Sequence, residues 1–127
     1  MKKSIVTGGA GFIGSHLVDK LLSLGHEVIV IDNESSDGHD EYYWNDSAQN
    51  HKVDICDFSA IAPLFVGVDY VYHLAAKASV QASVDNPIPT ISSQVLGTMN
   101  VLESARLSGV EKFIYSSTSA LSPTPNS

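Results

Sequence analysis

Seven residues near the amino terminus, Gly8-Gly9-Ala10-Gly11-Phe12-Ile13-Gly14, follow the β-branched run Ser4-Ile5-Val6-Thr7 and precede apolar residues at helical spacing. A strand, a glycine turn and a helix in that order make an anion site. The unpaired N–H groups of the first helical turn point at the ligand, and the absence of Cβ atoms lets a pyrophosphate approach bare backbone. Gly14 is placed where the helix must pack closely. A second β-branched run, Val28-Ile29-Val30-Ile31, ends on Asp32. That is about 20 residues beyond the turn, where a carboxylate accepts hydrogen bonds from an adenosine ribose. A carboxylate there repels a 2′-phosphate, so the pair reads as a site for NAD rather than NADP.

The elements that position these groups follow from periodicity. Ile13, Leu17, Leu21 and Leu24 form the expected inward stripe of the first helix, and Gly25 its C-cap. Residues 33 to 51 are polar and turn-rich. Val53 is expected to begin a short third strand, and residues 58 to 66 a helix with Ile61, Leu64 and Phe65 inward. Val68 to Leu74 reads as a fourth strand. Pro87 and Pro89 start a long helix whose expected buried stripe is Ile91, Val95, Met99 and Leu102, and Phe113-Ile114-Tyr115 is the core of a fifth strand. Strands alternating with helices imply an α/β domain with a Rossmann-type doubly wound parallel sheet of about five strands in the order 3-2-1-4-5. Ligand is expected at the carboxyl ends of strands 1 and 4. The domain is drawn over residues 1–117, with 118–127 an irregular Ser-, Thr- and Pro-rich tail.

Composition narrows the function classes. The 127 residues are 43% hydrophobic and 17% charged, as in an ordinary globular domain. Seven basic against 14 acidic residues give a formal charge of −7, which disfavours nucleic acid as a partner. No stretch reaches membrane-spanning length, and the apolar run after Met1-Lys2-Lys3 is too soon broken to be a signal peptide. The single cysteine, Cys56, excludes an intramolecular disulfide and fits a reducing cytoplasm.

With the motifs in hand, the chain resembles the extended short-chain dehydrogenase/reductases, and within them the NAD-dependent epimerase/dehydratase family that acts on nucleotide sugars (UDP-glucose 4-epimerase-like). The resemblance is carried by Thr7 to Leu17, Asp32-Asn33-Glu34-Ser35-Ser36, Asp54-Ile55-Cys56-Asp57, His73-Leu74-Ala75-Ala76, Gly97 to Glu103 and Phe113 to Ser117. It implies that Gly8, Gly11, Phe12, Ile13 and Gly14 surround the pyrophosphate of NAD. It further implies that Asp32 and Asn33, with Ser36 nearby, hold the adenosine ribose, and that Asp54 and Ile55 meet the adenine, the Asp54 carboxylate accepting from the exocyclic amine. Leu74, Ala75 and Ala76 would line the dinucleotide, and Ser116 would approach its nicotinamide half. Each has a plainer alternative: Ile55 and Leu74 as core, Asp54 as a turn carboxylate. Gln94 stands where the family usually has Asn and so alters a cofactor-side contact. Lys77 replaces a usually neutral residue, and the loop from Glu34 to Lys52 is short for the group.

The family's chemistry is hydride transfer between a sugar carbon and the nicotinamide. It relies on a Tyr base whose pKa is lowered by a Lys four residues later, and on a Ser or Thr that orients the sugar hydroxyl. Thr118 aligns with the Ser/Thr position. Four residues after Tyr42, Tyr43, Tyr70, Tyr72 and Tyr115 stand Asp46, Ser47, Leu74, Ala76 and Ser119, none of them lysine. The chain therefore reads as the front, cofactor-binding half of such an enzyme, truncated after the fifth strand and inactive alone. Alternatives are a stand-alone module that senses NAD(H) or engages a partner, and assembly with a second polypeptide that supplies the missing pair.

Weaker features are read plainly. His39 with Asp37, Asp40 and Glu41 is a solvated acidic loop rather than a metal site. His16 is a packing or surface residue, and His73, at a buried strand end, a hydrogen-bonded structural histidine. Tyr42-Tyr43-Trp44 is either an exposed recognition cluster or a loop anchored on the core. Ser116-Ser117-Thr118-Ser119 lacks the Gly-x-Ser-x-Gly elbow of a hydrolase. A truncated chain leaves strand 5 and the apolar face of the long helix uncovered, so a homo-oligomer, first a dimer, is expected.

Overall fold

The computed structural model describes residues 2–10, 12–33, 43–74 and 87–115, with the side chains of 12 and 87–94 outside that description. Two β-branched runs form the centre of the sheet. β1 (Lys3–Thr7) and β2 (Glu27–Ile31) pair in parallel, Ile5 opposite Ile29 and Val6 opposite Val30. Alternation along these strands sends side chains to opposite faces. Ile5, Ile29 and Ile31 enter a core with Ile61, Phe65, Val68, Val71, Val101 and Ala105. Val6, Val28 and Val30 enter a second core with Val18 and Leu21 of the first helix. Both faces are covered, as a parallel sheet requires. β3 (Gln49–His51), β4 (Tyr70–His73) and β5 (Lys112–Tyr115) complete the sheet in the order β3-β2-β1-β4-β5, all pairs parallel.

The helices depart from the sequence reading in instructive ways. α1 (Phe12–Ser23) ends at Gly25, where the His26 N–H donates to the Leu21 carbonyl at 3.1 Å. Its buried residues are Gly14, Ser15, Val18 and Leu21, while Ile13, predicted inward, is 56% exposed and Leu24 is also exposed. The expected helix over 58–66 is two pieces. α2 (Phe58–Ile61) is capped by Asp57, and a 3-10 turn spans Ala62–Phe65. Pro63 explains the break, since it has no N–H to continue the ladder. Ile61 and Phe65 are buried as predicted, and Leu64 only half so.

The third strand is Gln49–His51, not a strand beginning at Val53. Being an edge strand, it needs only backbone pairing on one side and carries no apolar pattern to announce it. The fourth strand is shorter than the expected 68–74, because Val68 still belongs to the preceding turn, its N–H donating to the Phe65 carbonyl at 3.1 Å.

The long helix, α3 (Pro87–Ser108), turns a different face to the core than expected. Gly97, Val101, Ser104 and Ala105 are buried, whereas Val95, Met99 and Leu102 are 51%, 61% and 45% exposed. Small residues let the helix lie close to its neighbours, so the larger apolar side chains end up outside. Ile91 and the 118–127 tail fall outside the described side chains and residues respectively.

Candidate functional site

The carboxyl ends of β1, β2, β3 and β4 lie along one edge of the sheet, and the turn after β1 rises from it. Gly8 takes a left-handed φ of 74°, and its N–H donates to the Ile31 carbonyl at 2.7 Å, so the turn starts anchored to β2. A Cβ on Gly14 would overlap the carbonyl oxygen of Gly8 and come within 2.9 Å of Gly9 Cα. Gly14 thus allows helix and turn to touch, backbone on backbone. On Gly9 a Cβ would stand 2.7 Å from Val30 Cγ1. The result is a compact turn, with only Ala10 carrying a side chain over residues 8–10, ahead of α1, whose first N–H groups have no partner within the helix.

Asp32 is buried at the end of β2, and its Oδ2 accepts from the Ala10 N–H at 3.0 Å. This joins the two halves of the expected dinucleotide site. The carboxylate that would bind ribose also holds the glycine turn, and a carboxylate has acceptor capacity for both. Its N–H continues the β2–β3 ladder, donating to the His51 carbonyl at 3.1 Å. Asn33, half-buried, follows directly.

Beyond β3, Asp54 is exposed and shapes its own loop. Its Oδ1 accepts from the Cys56 N–H at 2.9 Å, and its carbonyl from the Asp57 N–H at 3.0 Å. The turn-carboxylate role is therefore real, and exposure leaves the group accessible. Ile55 packs against the first core and Leu74 against the second, so each also has its structural role. Leu74 is tied to β1 by its N–H, which donates to Thr7 Oγ1 at 3.0 Å. Ile13, at the start of α1, is exposed and does not enter the core. Gly11, Ser36, Ala75, Ala76, Ser116 and Thr118 lie outside the described residues, as do the side chains of Phe12 and Gln94.

His73 sits at the switch between β1 and β4 and is fully buried. Its Nδ1 pairs with Thr7 Oγ1 at 2.7 Å and its Nε2 with Thr98 Oγ1 at 3.0 Å. The ring stacks on Tyr115, centroids 5.6 Å apart. Burial lowers its pKa to about 4. A neutral ring bonded at both nitrogens is a structural tie between β1, β4 and α3.

Sequence reasoning included Gly97, Thr98 and Asn100 in the family resemblance but gave them no individual role. Asn100 Nδ2 donates to the Ile55 carbonyl at 2.9 Å, and a Cβ on Gly97 would stand 2.5 Å from Ile55 Cδ1. The available sign was small and polar residues recurring on one face of a long helix.

Of the aromatic cluster, Trp44 is anchored, Tyr43 is exposed, and Tyr42 lies outside the described residues. Trp44 packs against the second core, while the Tyr43 N–H donates to the Ala10 carbonyl at 2.7 Å, beside the glycine turn. A cleft of about 410 Å³ between α1 and this segment is lined by Ser15, His16, Asp19, Tyr43, Trp44 and Asn45. None of the cofactor residues expected among the described ones lines it, and Asn45 Nδ2 donates to Asp19 Oδ1 at 2.7 Å. Among the described residues no group of three or more His, Cys, Asp or Glu could hold a metal ion, and no helix is long and apolar enough to cross a membrane. The acidic loop with His39 lies outside them.

Comparison with known proteins agrees with this geometry. Residues 4–127 match the profile described as the NAD dependent epimerase/dehydratase family. UDP-glucuronic acid decarboxylase 1 of Arabidopsis thaliana is 41% identical over 121 residues, 95% of this chain but 27% of that protein. The crystal structure of UDP-glucose 4-epimerase with UDP-glucose from Thermotoga maritima superposes with a TM-score of 0.83 at 44% identity, covering 91% of this chain and 38% of that one. That of the Thermus thermophilus UDP-glucose 4-epimerase in complex with NAD gives 0.76 at 40% identity, covering 87% and 36%. The chain thus spans well under half the length of these proteins.

Proposed function

The chain belongs to the NAD dependent epimerase/dehydratase family, and from that premise we propose that these 127 residues bind NAD(H) as the cofactor half of a nucleotide-sugar epimerase or dehydratase and do not complete its reaction by themselves. The observation that carries the reading is the glycine turn fastened to Asp32 through the Ala10 N–H. The residues fit the cofactor because a glycine-rich turn precedes a helix N-terminus, with a buried carboxylate beside it. Gly8, Gly11, Phe12, Ile13 and Gly14 hold the pyrophosphate, and Asp32, Asn33 and Ser36 the adenosine ribose. Asp54 and Ile55 take the adenine. Leu74, Ala75 and Ala76 line the dinucleotide, and Gln94 and Ser116 face its nicotinamide end. When bound, NAD supplies a hydride acceptor for a sugar carbon.

Hydride removal also needs a base for the sugar hydroxyl. No lysine among the 127 residues is preceded four positions earlier by tyrosine: His16, Ala48, His73 and Ser108 stand before Lys20, Lys52, Lys77 and Lys112. His73 is no substitute, being buried and bonded at both nitrogens. Thr118 can orient a hydroxyl but has no reason to accept its proton. The reading includes a cytoplasmic location, on the single cysteine, and self-association through the outer face of α3 and the β5 edge.

Calorimetric titration with NAD and NADP tests the cofactor half. NAD should bind saturably and NADP at least about tenfold more weakly, with Asp32→Ser erasing the difference. A hydride-transfer assay with UDP-glucose and UDP-glucuronic acid should show no turnover. Absence of NAD binding would overturn the first claim, and turnover by the 127 residues the second.

A further inference from the structure

The turn that follows β3 is closed by its own hydrogen bonds and lies between a strand paired to β2 and a helix whose Ile61 is buried. Asp54 Oδ1 accepts from the Cys56 N–H at 2.9 Å, the Asp57 N–H closes on the Asp54 carbonyl at 3.0 Å, and Asp57 then caps α2. Because the Asp54 carboxylate is committed to its own turn, it cannot swing freely to meet a ligand. It can only be carried with the turn as a whole. α3 supplies a further reference through two residues three apart in the helix and therefore on one face. Asn100 Nδ2 donates to the Ile55 carbonyl at 2.9 Å, a bond across 45 residues of sequence. One turn earlier, Gly97 leaves a notch for the Ile55 side chain, where a Cβ would come 2.5 Å from Cδ1 and 2.6 Å from Cγ1. Backbone carbonyl and side chain of the same residue are thus both gripped by α3, one residue after Asp54.

We propose that Asn100, working with the Gly97 notch, is a positioning residue for adenine recognition: it sets the 54–57 turn so that the exposed Asp54 carboxylate accepts a hydrogen bond from the exocyclic amine of the adenine. This rests on NAD occupying the site as read above. Hydrogen-bond selectivity decays within a few tenths of an ångström and with modest tilts, so the carboxylate discriminates only while the turn is held. Asn100 itself touches no ligand. Its effect is on which base is preferred.

The test compares NAD with nicotinamide hypoxanthine dinucleotide, in which a carbonyl replaces the adenine amine, by calorimetry on the full chain. The parent should prefer NAD about tenfold, the worth of one hydrogen bond to a charged acceptor. Asn100→Asp keeps shape and volume but removes the donor. It should bind NAD about tenfold more weakly and lose the preference for NAD over the hypoxanthine analogue. Gly97→Ala, which gains helix propensity and so keeps the fold, should lose the preference in the same way by pressing on Ile55. Ala105→Gly is the control: it loosens α3 farther along the helix, lowering Tm while leaving the preference intact. Retention of the parent's preference by Asn100→Asp or by Gly97→Ala would overturn the positioning role, as would its loss in Ala105→Gly. A parent that binds both dinucleotides equally removes Asp54 as the reader of the amine, and this inference with it. A parent that binds neither removes the cofactor reading itself.

Discussion

At the scale of single residues, two groups at the edge of the sheet do opposite things with burial. Asp32 is buried but accepts from the Ala10 N–H, so its carboxylate holds the glycine turn to the end of β2. His73 is buried between Thr7 and Thr98, and desolvation holds its pKa near 4, below the ordinary histidine value of 6.5. The folded state therefore takes up this proton later than the unfolded state does. Its contribution is fully present above pH 6.5 and is lost as pH falls from about 6.5 toward about 4. Between pH 7 and pH 5 the loss should amount to roughly 2 kcal/mol of unfolding free energy, measured by urea denaturation, and His73→Gln should remove most of that slope. An unchanged slope in the variant would contradict it. The glycine turn and the strand-end position of Asp32 were legible from the sequence because each is set by neighbouring residues. The partnership of His73 with Thr98, and of Asn100 with Ile55, was not legible, because each joins residues 25 or 45 positions apart whose meeting depends on how α3 lies on the sheet.

At the scale of elements, the helices show how periodicity can mislead. Val95, Met99 and Leu102 form a genuine apolar stripe, yet the face of α3 that meets the core is Gly97, Val101, Ser104 and Ala105. A close approach selects small residues such as Gly97, Ser104 and Ala105, which a stripe of large apolar side chains does not announce. The same geometry governs α1, where Gly14 touches the turn that precedes it. Gly14→Ala should force turn and helix apart, lowering unfolding stability by about 1–3 kcal/mol and weakening NAD binding more than stability alone explains. Denaturation and titration of the same variant check both parts, and wild-type affinity would show that the turn tolerates the displacement. The split of the 58–66 region at Pro63 was readable in principle from the missing N–H. The polar edge strand β3 was not, since nothing in Gln49-Asn50-His51 distinguishes it from loop until β2 is beside it.

At the scale of the whole molecule, the surface left apolar points outward along α3 and past β5. Val95, Leu96, Met99, Leu102 and Leu107 are exposed on the helix, and Tyr115 on the terminal strand of the sheet. Apolar side chains gathered on one helix, beside a strand edge that pairs with no other described strand, favour association. Sedimentation of the 127-residue chain should find a dimer or larger assembly, and Met99→Lys with Leu102→Lys should shift it toward monomer without abolishing NAD binding. A monodisperse parent monomer would refute self-association. The relatives carry far more chain than the 127 residues, this chain covering 27% of the Arabidopsis decarboxylase and 38% of the Thermotoga epimerase.

By itself the sequence determined the alternation of strand and helix, the strand order, and the placing of a glycine turn after β1 and of Asp32 at the end of β2. Those rest on backbone chemistry, short-range periodicity and a rule of topology that few sequences escape. Tertiary structure alone decided which face of α3 is buried, where the polar third strand forms, and that Asn100 grips the Asp54 turn. Each of these depends on the distance between surfaces brought together from remote parts of the chain, and packing distance has no local signature in the order of residues.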